Sequence, residues 1–463
     1  DLTLITDALE GRALLTGSSL AGALRHYLNE HADGYDYEFD ERREEMVYRE
    51  KPDSQANLLF GVRREDTEGW QSPLIVEDAL GREKTPRLEL RDGVKIDRRS
   101  RAAEDAHKFD VQLLAAGNSF DIGFELVITA GMDVAHVRRV LAVVLYGLES
   151  GEITLGGRKR RGYGRCRASQ WQVWQYDLTS KEGLKGWLAH EQGWSETQAA
   201  QSGDHILSLL GVANEELVDQ REQFTLKATL AVDGSLLIRS SFEEANGPDM
   251  VHLKSWRGEE NGAVPVISGT SLAGVIRAQA FRIAHTVGDE NKALAFVDNL
   301  FGYMAKPAEN REVRQASRVI VEETAVTGAY RELVQSRVAI DRFTGGALES
   351  ALFTQQPVFG GEATVALTVK KAPEDATGNT FKAEIGLLLL VLKDLWTGFV
   401  PVGGEASVGR GRLQGKTAIL ANTTTGQRWQ LSATADGLAI DDGDPAALEA
   451  YVQAFKKAME SKA

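Results

Sequence analysis

The sequence predicts an α+β fold: two tandem ferredoxin-like domains, each a βαββαβ palm with a projecting thumb loop. RNA-recognition modules share this layout. Three observations predict it. Four motifs recur in the same order along the 463 residues. Within each copy, helical and strand-like periodicities alternate in the same succession. The longest apolar run, Leu387 to Leu392, is far too short to span a bilayer, and the 43% hydrophobic content fits a folded globular chain.

The repeat comes first. Gly17-Ser18-Ser19-Leu20-Ala21-Gly22 matches Gly269-Thr270-Ser271-Leu272-Ala273-Gly274 at an offset of 252. Leu59-Phe60-Gly61 matches Leu300-Phe301-Gly302 at 241, and Ile96-Asp97-Arg98 matches Ile340-Asp341-Arg342 at 244. Gly156-Gly157 with Gly162-Tyr163-Gly164-Arg165 matches Gly403-Gly404 with Gly409-Arg410-Gly411-Arg412 at 247. Four ordered matches at nearly one offset indicate a duplication. The copies are assigned to residues 1–222 and 223–463, the first including a Gln-, Glu- and Ala-rich helical connector from Leu184 to Glu222.

The elements follow in order. The second copy opens with a strand-like run, Phe224 to Val232, a turn at Gly234, and a second run, Leu236 to Ile238. The first copy has only sixteen residues before its Gly-Ser-Ser motif. Either it lacks an edge strand or the given sequence omits the true N-terminus, and the absence of an initial Met favours the second. After Ser18-Ser19, apolar residues at Leu20, Ala23, Leu24, Tyr27 and Leu28 form one helix face, repeated at Leu272, Val275, Ile276 and Ala280. The charged run Asp36 to Glu50 reads as a solvated helix face. Strands are expected at Leu74 to Val76 and over Phe120 to Ile128. A helix with one broad apolar face follows from Val134 to Leu148, with its counterpart over Ile385 to Leu395. A glycine-rich loop then leads into strand-like runs from Arg165 and Arg412. Between Asp97 and Phe109, a segment carrying Arg98, Arg99, Arg101 and Lys108 projects as a loop or hairpin.

Composition excludes several classes. One cysteine, Cys166, rules out a disulfide scaffold and a cysteine-based zinc site. The eight histidines show neither HExxH nor metal-ligand spacing. Asp1-Leu2-Thr3-Leu4 carries no signal-peptide pattern, so a cytosolic protein with no membrane role is expected. A net charge of −14 argues against a general nucleic-acid binder. The local distribution argues the other way. Between Gly156 and Arg167 stand six cations, Arg158, Lys159, Arg160, Arg161, Arg165 and Arg167, no acid, and Tyr163. Cations, flexible glycines and an aromatic can clamp a phosphate backbone and stack on a base. A solvated basic turn is the competing reading. The second loop is weaker, with Arg410, Arg412 and Lys416 set against Glu405.

The helix starts carry a second candidate. Gly17, Ser18 and Ser19, and likewise Thr270 and Ser271, place hydroxyls and free N–H groups at a positive dipole end. An ordinary N-cap explains them equally well. Arg25 and Arg277 stand at the same offset in both copies. Gly22 and Gly274, inside the first turns, suggest close approach by another backbone.

These motifs together resemble the RAMP superfamily, specifically the backbone subunits of type III CRISPR effector complexes. Two units in one chain resemble the fused subunit of a III-D variant. The resemblance implies a filament in which palms hold guide RNA and thumbs kink the guide–target duplex. It implies as partners guide RNA, target RNA, and other RAMP and large subunits of the complex. It further implies that a loop aspartate ahead of the Gly-Ser-Ser motif promotes cleavage of the target strand. Counting back the family spacing gives Asp1 in the first copy and Asp249 in the second, with Asp7 a weaker alternative. A divalent metal, Mg²⁺, is implied as cofactor, loosely held and shared with RNA phosphates. A pure scaffold, binding guide RNA without cutting, is the alternative.

Overall fold

The computed structural model describes residues 3–34, 38–40, 45–47, 54–62, 71–97, 103–191, 200–240, 247–305, 313–435 and 437–460. Its helices are α1 (Gly17–Asp33), α2 (Gln55–Phe60), α3 (Val134–Glu149), α4 (Lys181–Glu191), α5 (Ile206–Leu210), α6 (Gly269–Val287), α7 (Glu290–Phe301), α8 (Asn379–Trp396) and α9 (Pro445–Glu460). None is long and apolar enough to cross a membrane.

In the second copy the palm is built around the strand Gln223–Asp233. It pairs antiparallel with Glu362–Lys370 on one side and Arg412–Asn422 on the other. Val319–Val321 and Thr324–Thr327 both pair with Glu362–Lys370. Successive side chains of a strand point to opposite faces. Accordingly Phe224, Leu226, Ala228, Leu230 and Val232 are buried, in one core with Ile276 of α6 and Leu388 of α8. Arg428–Thr434 and Gly437–Asp442 extend the sheet, and α9 covers it through Tyr451 and Phe455.

The first copy repeats the helices but not the whole sheet. Leu74–Val76 pairs with Phe124–Leu126, and Trp171–Val173 pairs with Gln201–Gly203. No described strand joins the two pairs. The strand expected to be lacking in the first copy has as its counterpart Gln223–Asp233, which lies mid-sheet and not at an edge. The first core gathers Leu20, Leu24 and Leu28 of α1, Leu59 of α2, and Val140, Val144 and Leu148 of α3.

Three local expectations are also corrected. Glu38–Asp40 and Glu45–Val47 form an antiparallel strand pair, not a helix. Aromatic residues at 35, 37 and 39 alternate with acids, a period of two that charge counting overlooks. The stretch from Leu184 to Glu222 is not a purely helical connector, because Gln201–Gly203 is a strand. Ile206 of α5 is buried in the first core, so this stretch belongs to the first copy's fold. Finally, a Cβ placed on Gly22 or Gly274 would meet nothing within 4 Å. The close approaches fall instead at Gly17, against the Val76 carbonyl, and at Gly269, against the Val321 carbonyl.

Each copy projects a hairpin: Leu88–Ile96 with Ala103–Leu114, and Gln335–Ile340 with Ala347–Gln356. Arg98, Arg99 and Arg101 lie outside the described residues.

Candidate nucleic-acid interface

The two glycine-rich loops share one backbone. In the first, Arg158 is left-handed, Lys159–Arg161 form a single 3₁₀ turn, and Gly162 is again left-handed. In the second, Glu405, Ala406–Val408 and Gly409 do the same. Leu155 N–H donates to Gly164 O at 2.8 Å, and Val402 N–H to Gly411 O at 2.8 Å. One loop fold therefore carries different charges: Arg158, Lys159, Arg160 and Arg161 stand where Glu405, Ala406, Ser407 and Val408 stand in the second copy.

The basic loop sits against the second copy. The Arg161 carbonyl lies where a Cβ on Gly269 would be, at the start of α6. Tyr163 hydrogen-bonds Thr270, and burial raises its phenol above the ordinary value. Arg160 donates to the Ser317 carbonyl. Arg158 stacks on Phe109 of the first hairpin, 4.2 Å from the ring centroid. Burial lowers the Arg161 guanidinium below its ordinary value, and Arg277, Arg160 and Arg158 lower it further by repulsion. Among the described residues no acid pairs with Arg161 itself, whereas Arg277 has Asp298. Lys159 is also lowered by burial, against an opposing pull from Glu30.

The remaining loop arginines and two arginines outside the loop have partners of their own. Arg165 pairs with Glu322 at 2.5 Å. Glu323 takes Arg91 at 3.2 Å and Arg257 at 2.5 Å. Arg167 donates to the Glu149 carbonyl at 2.9 Å. Nearby, Lys370 of the second palm meets both oxygens of Glu30 on α1 at 2.7 Å. Burial raises the Glu30 carboxyl, but Lys370 and His26 outweigh it and hold it well below its ordinary value. Sequence reasoning missed Arg91 and this acidic pair. A signal existed: Glu77-Asp78 and Glu322-Glu323 repeat at an offset of 245.

The two helix starts differ. At α1, Gly17 N–H donates to the Asp78 carboxylate at 2.6 Å, so an acid already occupies the dipole end. Ser18 and Ser19 are exposed and their hydroxyls bond locally with Thr16, the N-cap. At α6, Ser268 caps Ser271 and Thr270 is half-buried. The paired arginines are built into their own copies. Arg25 donates to Asn57 Oδ1 at 3.0 Å and to the carbonyls of Phe60 (3.3 Å) and Gly61 (3.0 Å), holding the Leu-Phe-Gly motif at the end of α2. Arg277 meets Asp298 of α7 at 2.5 Å.

Arg410 is a correction among the expected RNA contacts. It is 2% exposed, enclosed by Glu405, Gln335 and Gln355. A guanidinium so enclosed is a packing element and cannot reach a phosphate. Arg412, two residues on, is exposed.

Asp249 lies at the base of the second hairpin, beside the strand Met250–His252. Its carboxylate accepts from Thr354 N at 2.6 Å and from the Thr354 hydroxyl at 3.0 Å. These bonds, the backbone one first, lower its carboxyl below the ordinary value. It is exposed and ionised. Asp7 Oδ2 accepts from Leu9 N (2.9 Å) and Glu10 N (2.6 Å), closing its own turn. Asp1 lies outside the described residues. Among the described residues no group of three or more metal-ligating side chains gathers. Among the described residues, then, no cage for Mg²⁺ is preformed, and Asp249 offers one carboxylate.

A duplicated α+β palm with a cationic, tyrosine-bearing loop between its copies defines an RNA-binding class of protein. The family model of the RAMP superfamily matches residues 2–167 and 257–414, most of the chain in two regions. The chain belongs to the RAMP superfamily, which implies a CRISPR-associated RNA-binding subunit. No curated protein matches it.

Proposed function

We propose that this chain is a backbone subunit of a type III CRISPR effector complex, of the fused III-D-like kind, acting in the cytoplasm. Its units are residues 1–222 and 223–463. It holds guide RNA beside other RAMP and large subunits and cleaves the paired target RNA as an endoribonuclease. One observation supports the RNA-binding part: Arg158, Lys159, Arg160 and Arg161 stand together in one loop seated on the start of α6, and among the described residues no carboxylate pairs with Arg161. Mutual repulsion at that density is relieved by a bound polyanion, and a phosphate backbone supplies one.

Cleavage rests on Asp249, with Asp1 as its counterpart. RNA carries its own nucleophile. The 2′-oxygen attacks the adjacent phosphorus, the bond to the 5′-oxygen breaks, and a 2′,3′-cyclic phosphate and a 5′-hydroxyl result. Asp249 orients the 2′-hydroxyl in line and accepts its proton, and water protonates the leaving oxygen. Mg²⁺ is proposed as cofactor on the target phosphates. Asp249→Asn in the assembled complex tests this reading. Loss of one specific cut with guide RNA retained supports it; an unchanged cutting pattern leaves the scaffold reading.

A further inference from the structure

Of the six loop cations, Arg165 and Arg167 are the exposed ones. Arg158, Lys159, Arg160 and Arg161 are half-buried, and Arg167 is held by a carbonyl of its own copy. Arg165 is therefore the loop cation best placed to meet a ligand arriving from solvent. Its guanidinium is already taken. It meets Glu322 of the second copy at 2.5 Å, and the two side chains are 56% and 35% exposed. Water, and any anion, can reach the pair.

The backbone keeps Glu322 beside the loop. Gly162 packs directly on the Glu322–Glu323 peptide, and Glu322 N–H donates to the Ala366 carbonyl at 3.1 Å. The carboxylate can turn away while its Cα stays in place. The adjacent acid differs. Glu323 is 7% exposed and lies between Arg91 and Arg257. A charge so enclosed stays paired. The second loop differs too. There Arg412 stands where Arg165 stands, is exposed, and pairs with no acid among the described residues. The acid matching Glu322, Glu77, lies against Gly123 of its own copy.

We propose that Glu322 is an internal competitor for RNA. Its carboxylate holds the position on Arg165 that an RNA phosphate takes, and RNA engages the first loop by displacing it. The inference rests on the RNA-binding reading and adds a regulation of that same site. An exposed ion pair is weak, so a single small anion gains little by the exchange. A chain of phosphates releases several counterions as it binds, and that drives the displacement. The first loop is thus closed to lone anions and opens to a polyanion.

The test measures binding of a fluorescein-labelled single-stranded RNA to the full chain by anisotropy, at about 50 and about 200 mM salt. Glu322→Gln keeps the shape of the side chain and removes its charge. It should tighten binding about two- to fivefold at the lower salt, the span that an exposed pair is worth. The gain should shrink at the higher salt. Arg165→Ala should weaken binding, and in that background Glu322→Gln should lose most of its gain. An equal gain with and without Arg165 would mark a general effect of charge and overturn the proposal. No gain from Glu322→Gln while the unaltered chain binds RNA would overturn it as well, as would full affinity in Arg165→Ala. Failure of the unaltered chain to bind RNA at the lower salt would overturn the RNA-binding reading itself, and this inference with it. Should Glu322→Gln lower the unfolding temperature, Glu322→Ser takes its place with the same outcomes.

Discussion

The carbonyl oxygen of Arg161 rests on the Cα of Gly269, so that no side chain fits at that position of α6. A loop of the first copy is thereby seated on a helix of the second. The equivalent Gly17 packs instead on the carbonyl of Val76, with Glu77 next nearest. Gly269→Ala must push the loop away, at an overpacking cost of about 1–3 kcal/mol. Gly17→Ala should disturb only the first copy. Thermal unfolding followed by RNA binding separates them: the first variant should lose RNA affinity more than stability alone explains.

Arg158→Ala and Arg161→Ala should each weaken RNA binding at all sequences alike. Each should also reduce the slope of log affinity against log salt by about 1. Filter binding at several salt concentrations measures this. Arg410→Ala is the contrast. Its partner Glu405 would lose a buried counterion, so stability should fall by about 3 kcal/mol with the salt slope unchanged.

Glu30 and Lys370 should behave as a buried pair joining the copies. Lys370→Met alone leaves the buried Glu30 carboxylate to His26 and should cost about 3 kcal/mol in denaturant unfolding. Glu30→Met combined with Lys370→Met should recover most of that loss, a coupling read directly from the double-mutant cycle.

His252 gives an acid limit to stability. Burial lowers its pKa to about 4, although bonds to Val266 and Leu236 resist the shift. The neutral ring is the folded form, and the unfolded ring binds its proton first. Its contribution, about 3 kcal/mol, is therefore complete above pH 6.5 and disappears as the pH falls toward 4. Chemical denaturation between pH 7 and 4 should show the decline, and His252→Gln should flatten it.

Thr354→Val removes one of the two Thr354 donors to Asp249. The backbone bond remains, so the carboxyl should rise only part of the way to its ordinary value. Proton titration of Asp249 by NMR checks this, and cleavage by the complex should slow without change in guide content.

The duplication was legible because its motifs keep residue identity and order. So were the helices, whose apolar spacing at Leu20, Leu24 and Leu28 follows directly from burial against α3. The sheet was not. Phe224 to Val232 reads as a strand from its alternation, but nothing local says that it lies in the middle, since pairing partners are set more than 130 residues away. The loop cations were legible as a group and not singly. Arg160, Arg161 and Arg410 have the same side chain, and only tertiary packing turns one to a carbonyl, one toward other arginines and one inside. The tight glycines were misplaced for a related reason. Gly17 and Gly269 are crowded by carbonyls from strands and loops far away in sequence, whereas Gly22 and Gly274 face open space.

The seating of the Arg161 loop on α6 has a consequence for assembly. Both halves of that cationic cluster are on one polypeptide, so their effective concentration is fixed by the chain and not by how much protein is present. Dilution cannot take this cluster apart.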